Sequence, residues 1–198
     1  MKSVRFNPWV GDQYASNHFY GKKILVLGES HYQWNEDKPI DNFVDITKYC
    51  ISQQISGAET HAFWTHIAIA FLNHRPTLQE KHLFWHSVAF YNYIQCSVGV
   101  GARVRPDQKM WRDSEPGFVE VLKQLEPDIM VVLGYELWQR LPELAGSRGP
   151  TIVNAKQPDT WRYPTRQQGC LAYGIRHPSS GFNGRYWYPY IMQVIKLA

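Results

Sequence analysis

Ile24-Leu25-Val26-Leu27-Gly28-Glu29-Ser30-His31-Tyr32 is the stretch whose reading decides the fold. Four consecutive aliphatic residues without polar alternation predict a strand covered on both faces, as in a parallel sheet between helices. Gly28 closes the run, where a side-chain-free residue allows a sharp turn and close approach of a ligand. Three further runs read as strands: Ser87-Val88-Ala89-Phe90-Tyr91 before Asn92, Ile129-Met130-Val131-Val132-Leu133 before Gly134, and Leu171-Ala172-Tyr173-Gly174-Ile175 before Arg176-His177. Helical patterns fill the gaps. They predict helices over 41–54 with Asp41 as a cap, and over 59–73 with Phe63, Ile67 and Phe71 on one face. Further helices are expected from Ser114-Glu115-Pro116 through 118–125, over 135–141 and over 186–197. Strands alternating with helices imply parallel pairing. The expected fold is therefore α/β: a three-layer α/β/α sandwich with a central, mostly parallel four-stranded sheet, in a single domain over 1–198.

Composition narrows the function classes. At 198 residues, with 44% hydrophobic and 19% charged residues, the chain can bury a core and is not a disordered segment. The 8 Trp and 12 Tyr suit a dense core or a surface that stacks on flat ligands such as bases. A net charge of +4 permits a polyanionic partner without demanding one. Cys50, Cys96 and Cys170 lie far apart, which argues against a disulfide scaffold, a zinc knuckle and a four-thiolate iron–sulfur cluster. No apolar run reaches the length of a membrane span, and Met1 to Asp12 lack a signal-peptide core. A cytoplasmic protein with no membrane partner is expected.

In open parallel sheets, ligands bind beyond the carboxyl ends of the strands. The polar residues predicted there are Glu29-Ser30-His31-Tyr32, Asn92, Gly134-Tyr135-Glu136 and His177-Pro178-Ser179-Ser180. Glu29 can hold a water, act as a base or bind a cation; it can equally cap the following helix. The Asn92 amide offers a donor and an acceptor to a base edge, or serves an ordinary turn. The His177 imidazole can donate to an oxygen that gains charge. Ser179, Ser180 and Gly181 expose backbone amides suited to a phosphate, and Phe182, Asn183 and Arg185 follow as a DNA-penetrating loop would require.

These clusters, in this order, resemble the uracil-DNA glycosylase superfamily. Its first motif reads Gly-Gln-Asp-Pro-Tyr or Gly-Glu-Ala-Pro-Gly in different branches, and Gly28-Glu29-Ser30-His31-Tyr32 is similar. Asn92 matches a base-reading Asn after the second strand. Pro127-Asp128-Ile129-Met130-Val131-Val132-Leu133-Gly134 resembles its third strand, and His177-Pro178-Ser179 its last motif. The segment ending Arg105-Pro106 is similar to the one after the base-reading Asn in some branches. The chain also departs from the pattern. Ser30 stands where one branch has a water-activating Asp, His31 replaces a proline, and the cysteines of the iron–sulfur branch are missing. Tyr32 aligns with a tyrosine that blocks 5-substituted bases.

The resemblance implies a monomeric, monofunctional DNA glycosylase acting on a flipped uracil or other modified pyrimidine, such as a hypermodified phage cytosine. Its setting would be DNA repair or defence against phage. Glu29, His177 and Asn92 would be catalytic. Tyr32, Phe43, Ser30, His31 and Asn92 would hold the base, and Ser179, Ser180, Phe182, Asn183 and Arg185 would hold the DNA. No metal and no cofactor are implied. Two other readings stand beside it. One is a serine esterase, since Gly28-Glu29-Ser30 is similar to the Gly-Asp-Ser motif, although Gly174 stands where such enzymes carry the Asp of the triad. The other is an inactive nucleic-acid binder using Arg103, Arg105, Lys109, Trp111 and Arg112. His82 and His86, four apart, raise a metal site that structural histidines explain better.

Overall fold

The aliphatic runs become strands because layers on both sides of the sheet cover them. The computed structural model describes residues 1–16, 20–33, 37, 39–59, 61–101, 104–165, 168–179 and 181–198. In chain order the elements begin with β1 (Trp9–Val10), β2 (Ile24–Gly28), β3 (His31–Gln33), α1 (Ile46–Ser56), α2 (Ala62–Leu72) and α3 (Leu78–Ser87). They continue with β4 (Ala89–Asn92), β5 (Ser97–Val100), α4 (Gln108–Leu125), β6 (Ile129–Leu133) and α5 (Tyr135–Arg140). The chain closes with β7 (Ser147–Arg148), β8 (Thr160–Tyr163), β9 (Cys170–Ile175) and α6 (Gly184–Leu197).

The main sheet runs β1-β4-β2-β6-β9-β8-β7, with β4, β2, β6 and β9 mutually parallel at its centre. Those four are the predicted strands. Ile24, Val26, Phe90, Ile129, Val131, Leu171 and Tyr173 bury one face against α1, α2, α3 and α6. Leu25, Leu27, Ala89, Tyr91, Met130, Val132 and Ala172 bury the other against α4 and α5. The fold is thus the expected α/β/α sandwich. The sheet is wider than expected: β1 pairs antiparallel with β4 at one edge, and β8 and β7 extend the other edge antiparallel. A small parallel pair, β3 with β5, forms a second sheet. Strands of two to four residues, polar in the case of β7, are defined by backbone pairing and carry no apolar signature.

The largest departures from expectation concern α1, α4 and α3. α1 starts at Ile46 after Asp45. Asp41 instead accepts from Ser97 N (3.1 Å) and pairs with Arg5 (3.3 Å). α4 starts eight residues before Pro116, capped by Asp107, whose carboxylate accepts from Met110 N at 2.8 Å. Its buried stripe already includes Trp111 and Ser114, so tertiary burial outweighs the backbone hydrogen bond that Pro116 removes. α3 was not predicted, yet Thr77 and Glu80 form a reciprocal capping box at its start. Among the described residues, no helix is long and apolar enough to cross a membrane.

The topology sets the site. The chain leaves β2 for helices on one face and leaves β4 for α4 on the other. In sheets of this kind the ligand crevice lies beyond the carboxyl ends of the parallel strands, here the rim that carries Glu29, Asn92 and His177.

Candidate functional site

Gly28 and Asn92 are register partners at the ends of β2 and β4. A Cβ on Gly28 would lie 2.1 Å from Asn92 Oδ1 and 2.8 Å from Phe90 Cζ, so only glycine lets the amide fold across the strand end. The ladder continues past the strands, with Tyr93 N donating to Gly28 O (2.9 Å) and Ile94 N to Glu29 O (2.8 Å). Gln95 holds this corner. Its Nε2 donates to Asn92 O (2.7 Å), and its Oε1 accepts from Arg5 N and Phe6 N, both at 2.9 Å. The Asn92 backbone is thus pinned, and the residue is only 5% exposed. Its side-chain amide has no hydrogen-bond partner among the described residues.

Glu29, also buried, receives the guanidinium of Arg105 at 2.8 Å. The same Arg105 Nη2 pairs with Glu136 in the first turn of α5, and Glu136 accepts from Arg140 Nε at 3.2 Å. Arg140 in turn lies 5.1 Å over the Trp111 ring. Burial pushes the Glu29 carboxyl up from its ordinary value; Arg105 opposes this, Glu136 adds to it, and Arg140 opposes it again. Arg105 thereby favours the ionised form and offsets part of the upward push of burial. Arg105→Ala is expected to raise the Glu29 carboxyl further. A carboxyl-carbon NMR titration reads this directly, and an unmoved midpoint would show that Arg105 does not set the charge.

His177 follows β9. Its ring lies tilted against Phe63 at 5.4 Å, and its Cβ and Cδ2 pass 3.7 Å from where a Gly134 Cβ would stand. Gly134 has φ 121°, a conformation that side-chain-bearing residues rarely adopt. Ser179 N donates to His177 Nδ1 at 3.3 Å, and Ser179 Oγ lies 2.7 Å from the same nitrogen. An amide N–H cannot accept, so Nδ1 carries the lone pair and the neutral ring keeps its proton on Nε2. Burial and then the charge of Arg105 lower the imidazole's pKa, which favours this neutral form. His66 Nδ1 donates to Pro178 O at 2.7 Å and anchors the turn from α2. Phe63 reaches Phe90 at 6.5 Å, and Phe90 lies against Gly28, so ring contacts connect His177 to the Asn92 corner.

The other predicted residues divide. Tyr32 packs half-buried on the α4 side, and its phenol acts electrostatically on Arg105, which places it on the Glu29 side of the crevice. Ser30 Oγ is buried with no hydrogen-bond partner among the described residues. His31, one step out of phase with Tyr32 along β3, turns inward. It is 7% exposed, its Nε2 lies 2.8 Å from Thr47 Oγ1, and Phe6 packs edge-on to it at 5.4 Å. His31 therefore ties β3 to α1 rather than facing a base. Phe43 packs with Phe6, Ile40, Ile46 and Cys50 and tilts on Tyr49 at 5.6 Å. In the expected DNA loop, Ser179 is engaged with His177, and Ser180 lies outside the described residues, as does Arg103. Phe182, expected to fill the space of an extruded nucleotide, stacks between His66 (6.0 Å) and Trp187 (6.4 Å). Asn183 caps α6, accepting from Tyr186 N at 3.4 Å. Arg185 acts electrostatically on His74, beyond the C-terminal end of α2, whereas His177 meets α2 in its first turn. At ~1.5 Å per residue, Phe63 and His74 are about 16 Å apart along the helix, so Arg185 does not flank the crevice.

His31 carries a pH prediction. Burial lowers its imidazole from 6.5 to about 4. The unfolded chain takes up this proton first, so the stabilisation is full above 6.5 and is lost as pH falls towards 4. The loss approaches about 3 kcal/mol. Denaturant unfolding at pH 7 and pH 4 should show it, with a shallower dependence in His31→Gln; equal slopes would remove His31 as the cause.

Sequence reasoning missed Arg105 as the partner of Glu29, Gln95 as the brace of Asn92, and His66 as the anchor of the His177 turn. Arg105-Pro106 was visible as a motif, but its partner was not. Among the described residues, no three His, Cys, Asp or Glu side chains converge as metal ligands. His82 and His86 stack on each other at 4.2 Å, and His86 pairs with Asp12 at 3.0 Å. Two shallow depressions lie elsewhere, one beside Lys2 and α4 and one beside Lys22 and the end of α6. Comparison with family models and with curated proteins finds no match.

Proposed function

We propose that this chain is a monofunctional DNA glycosylase that hydrolyses the N-glycosidic bond of a uracil or otherwise modified pyrimidine, in repair or in defence against modified phage DNA. One observation carries the reading. A buried carboxylate (Glu29), a buried amide unpartnered among the described residues (Asn92) and a neutral imidazole with its proton on Nε2 (His177) stand at the carboxyl ends of one parallel sheet. A nucleotide flipped from the stack would be read by Asn92 through its base edge. As the bond from C1′ to the base breaks, its electron pair leaves with the base, and His177 Nε2–H donates to the oxygen that gains charge. Glu29 orients a water towards C1′, takes its proton and offsets the positive charge on the sugar; the departing base anion is protonated from solvent. A carboxyl pushed up by burial is a stronger base than an exposed one, which suits this role.

The esterase reading gains nothing from the geometry: among the described residues Ser30 Oγ has no hydrogen-bond partner, and His177 Nδ1 is occupied by Ser179. The test is a panel of oligonucleotides bearing uracil, 5-substituted uracils and modified cytosines, together with phage DNA containing such cytosines. After incubation, alkali cleavage reports abasic sites. Strand breaks are expected with wild type and near-background breaks with Asn92→Ala, whose DNA binding persists. No abasic site from any substrate, or equal release by Asn92→Ala, overturns the proposal.

A further inference from the structure

Beside the crevice lies an aromatic surface that the reaction does not use. Tyr135, at the start of α5, is 39% exposed, and Tyr186, in the first turn of α6, is 38% exposed. Both lean on Trp187, Tyr135 at 6.5 Å and Tyr186 edge-on at 5.1 Å. Tyr190 extends the row 5.3 Å from Tyr186, its hydroxyl donating to Asn154 O at 3.1 Å. Trp187 is buried, so the exposed rings stand on a rigid base. Gly134, immediately before Tyr135, is the residue that His177 passes closely, so the row begins at the mouth of the crevice.

Cations stand at both ends of this row. Arg176 is exposed, acts electrostatically on Tyr135, and lies 3.4 Å from where a Gly181 Cβ would stand. Lys156, also exposed, acts on Tyr190 at the other end of the row. Glu136, the acid nearest Tyr135 in sequence, is held by Arg105 and Arg140. Exposed rings with cations at either end fit a flexible polyanion that carries flat groups: the rings stack on bases and the cations meet phosphates. Paired bases hide their faces within a duplex, so exposed rings favour an unpaired strand.

We infer that Tyr135, Tyr186 and Tyr190, with Arg176 and Lys156, form a track for single-stranded DNA leading away from the crevice. The inference rests on the reading of DNA as the partner and adds strandedness to it. The intact protein is titrated into fluorescein-labelled oligothymidine, a hairpin duplex and oligouridine, followed by anisotropy. Wild type should bind oligothymidine more tightly than the hairpin. Tyr135→Ala/Tyr186→Ala should weaken oligothymidine binding at least tenfold, and the Phe double variant should restore it, because stacking needs the ring and not the hydroxyl. Arg176→Ala should flatten the dependence of binding on salt. Unchanged oligothymidine binding by the Ala double variant, preference for the hairpin, or preference for oligouridine each overturns the track. A circular dichroism melt confirms that each variant is folded. Base release is scored separately. Abasic sites with no tyrosine dependence leave the glycosylase and remove the track; tyrosine-dependent binding without release from any substrate does the reverse.

Discussion

His177→Ala is expected to slow base release by about 10²–10³-fold while DNA affinity stays within a few-fold of wild type. The magnitude is that of removing one preorganised donor from a site where negative charge develops, ~2.7–4 kcal/mol in the transition state. The geometry makes this donor more committed than a surface histidine. Its ring is fixed by Phe63, its Nδ1 is occupied by Ser179, and its turn is anchored by His66. Burial and Arg105 keep it neutral, so no proton has to be shed before the base leaves. Single-turnover cleavage of a saturating substrate isolates the step. Wild-type rates in the variant would mean that the charge on the departing base is met elsewhere. Ser179→Ala should give a smaller loss, since the backbone amide still directs Nδ1.

Trp85→Ala should destabilise the fold by ~3–5 kcal/mol, the range for emptying a large buried aromatic site. Trp85 is fully buried, with Trp64, Phe84 and Phe90 packed edge-on around it at 5.5, 4.9 and 6.2 Å. Its indole N–H has no acceptor among the described residues. Burying such a group costs about 1–3 kcal/mol, so Trp85→Phe, which removes the orphan donor with part of the ring, should lose far less than its volume suggests. Denaturant unfolding of both variants checks the pair. If the Phe variant falls as far as the Ala variant, the N–H is satisfied in solution and the packing alone carries the stability. Trp85 also touches Phe90, the residue beneath Gly28, so the Ala variant should disturb the Asn92 corner together with the core.

Much of the frame was legible because it rests on local chemistry. A strand buried on both faces needs an unbroken aliphatic run, and 24–27 and 129–133 could hardly be read otherwise. The strand-end polar groups were legible for the same reason: where the run stops, Glu29, Asn92 and His177 begin. Tyr32 and His31 show the limit. Both sit on a three-residue strand, and only its pairing with β5 decides that the histidine turns inward to Thr47 while the tyrosine lies on the side of Arg105. Phe182 and Arg185 show it again. Their residue types suited a DNA loop, but the close crossing of α6 over α2 at Gly184 sets Phe182 on Trp187 and sends Arg185 towards His74.

The sequence by itself determined the alternation of strands and helices, the parallel centre of the sheet, and the residue types available where each strand ends, because each follows from neighbours a few positions apart. Tertiary structure alone decided the edge strands, the meeting of Arg105 with Glu29 across 76 positions, the anchoring of the Pro178 turn by His66, and the setting of Tyr135 on Trp187. Those depend on which surfaces the helices bring together. Backbone pairing and charge act through space, and no local pattern records the distance between residues that are far apart in the chain.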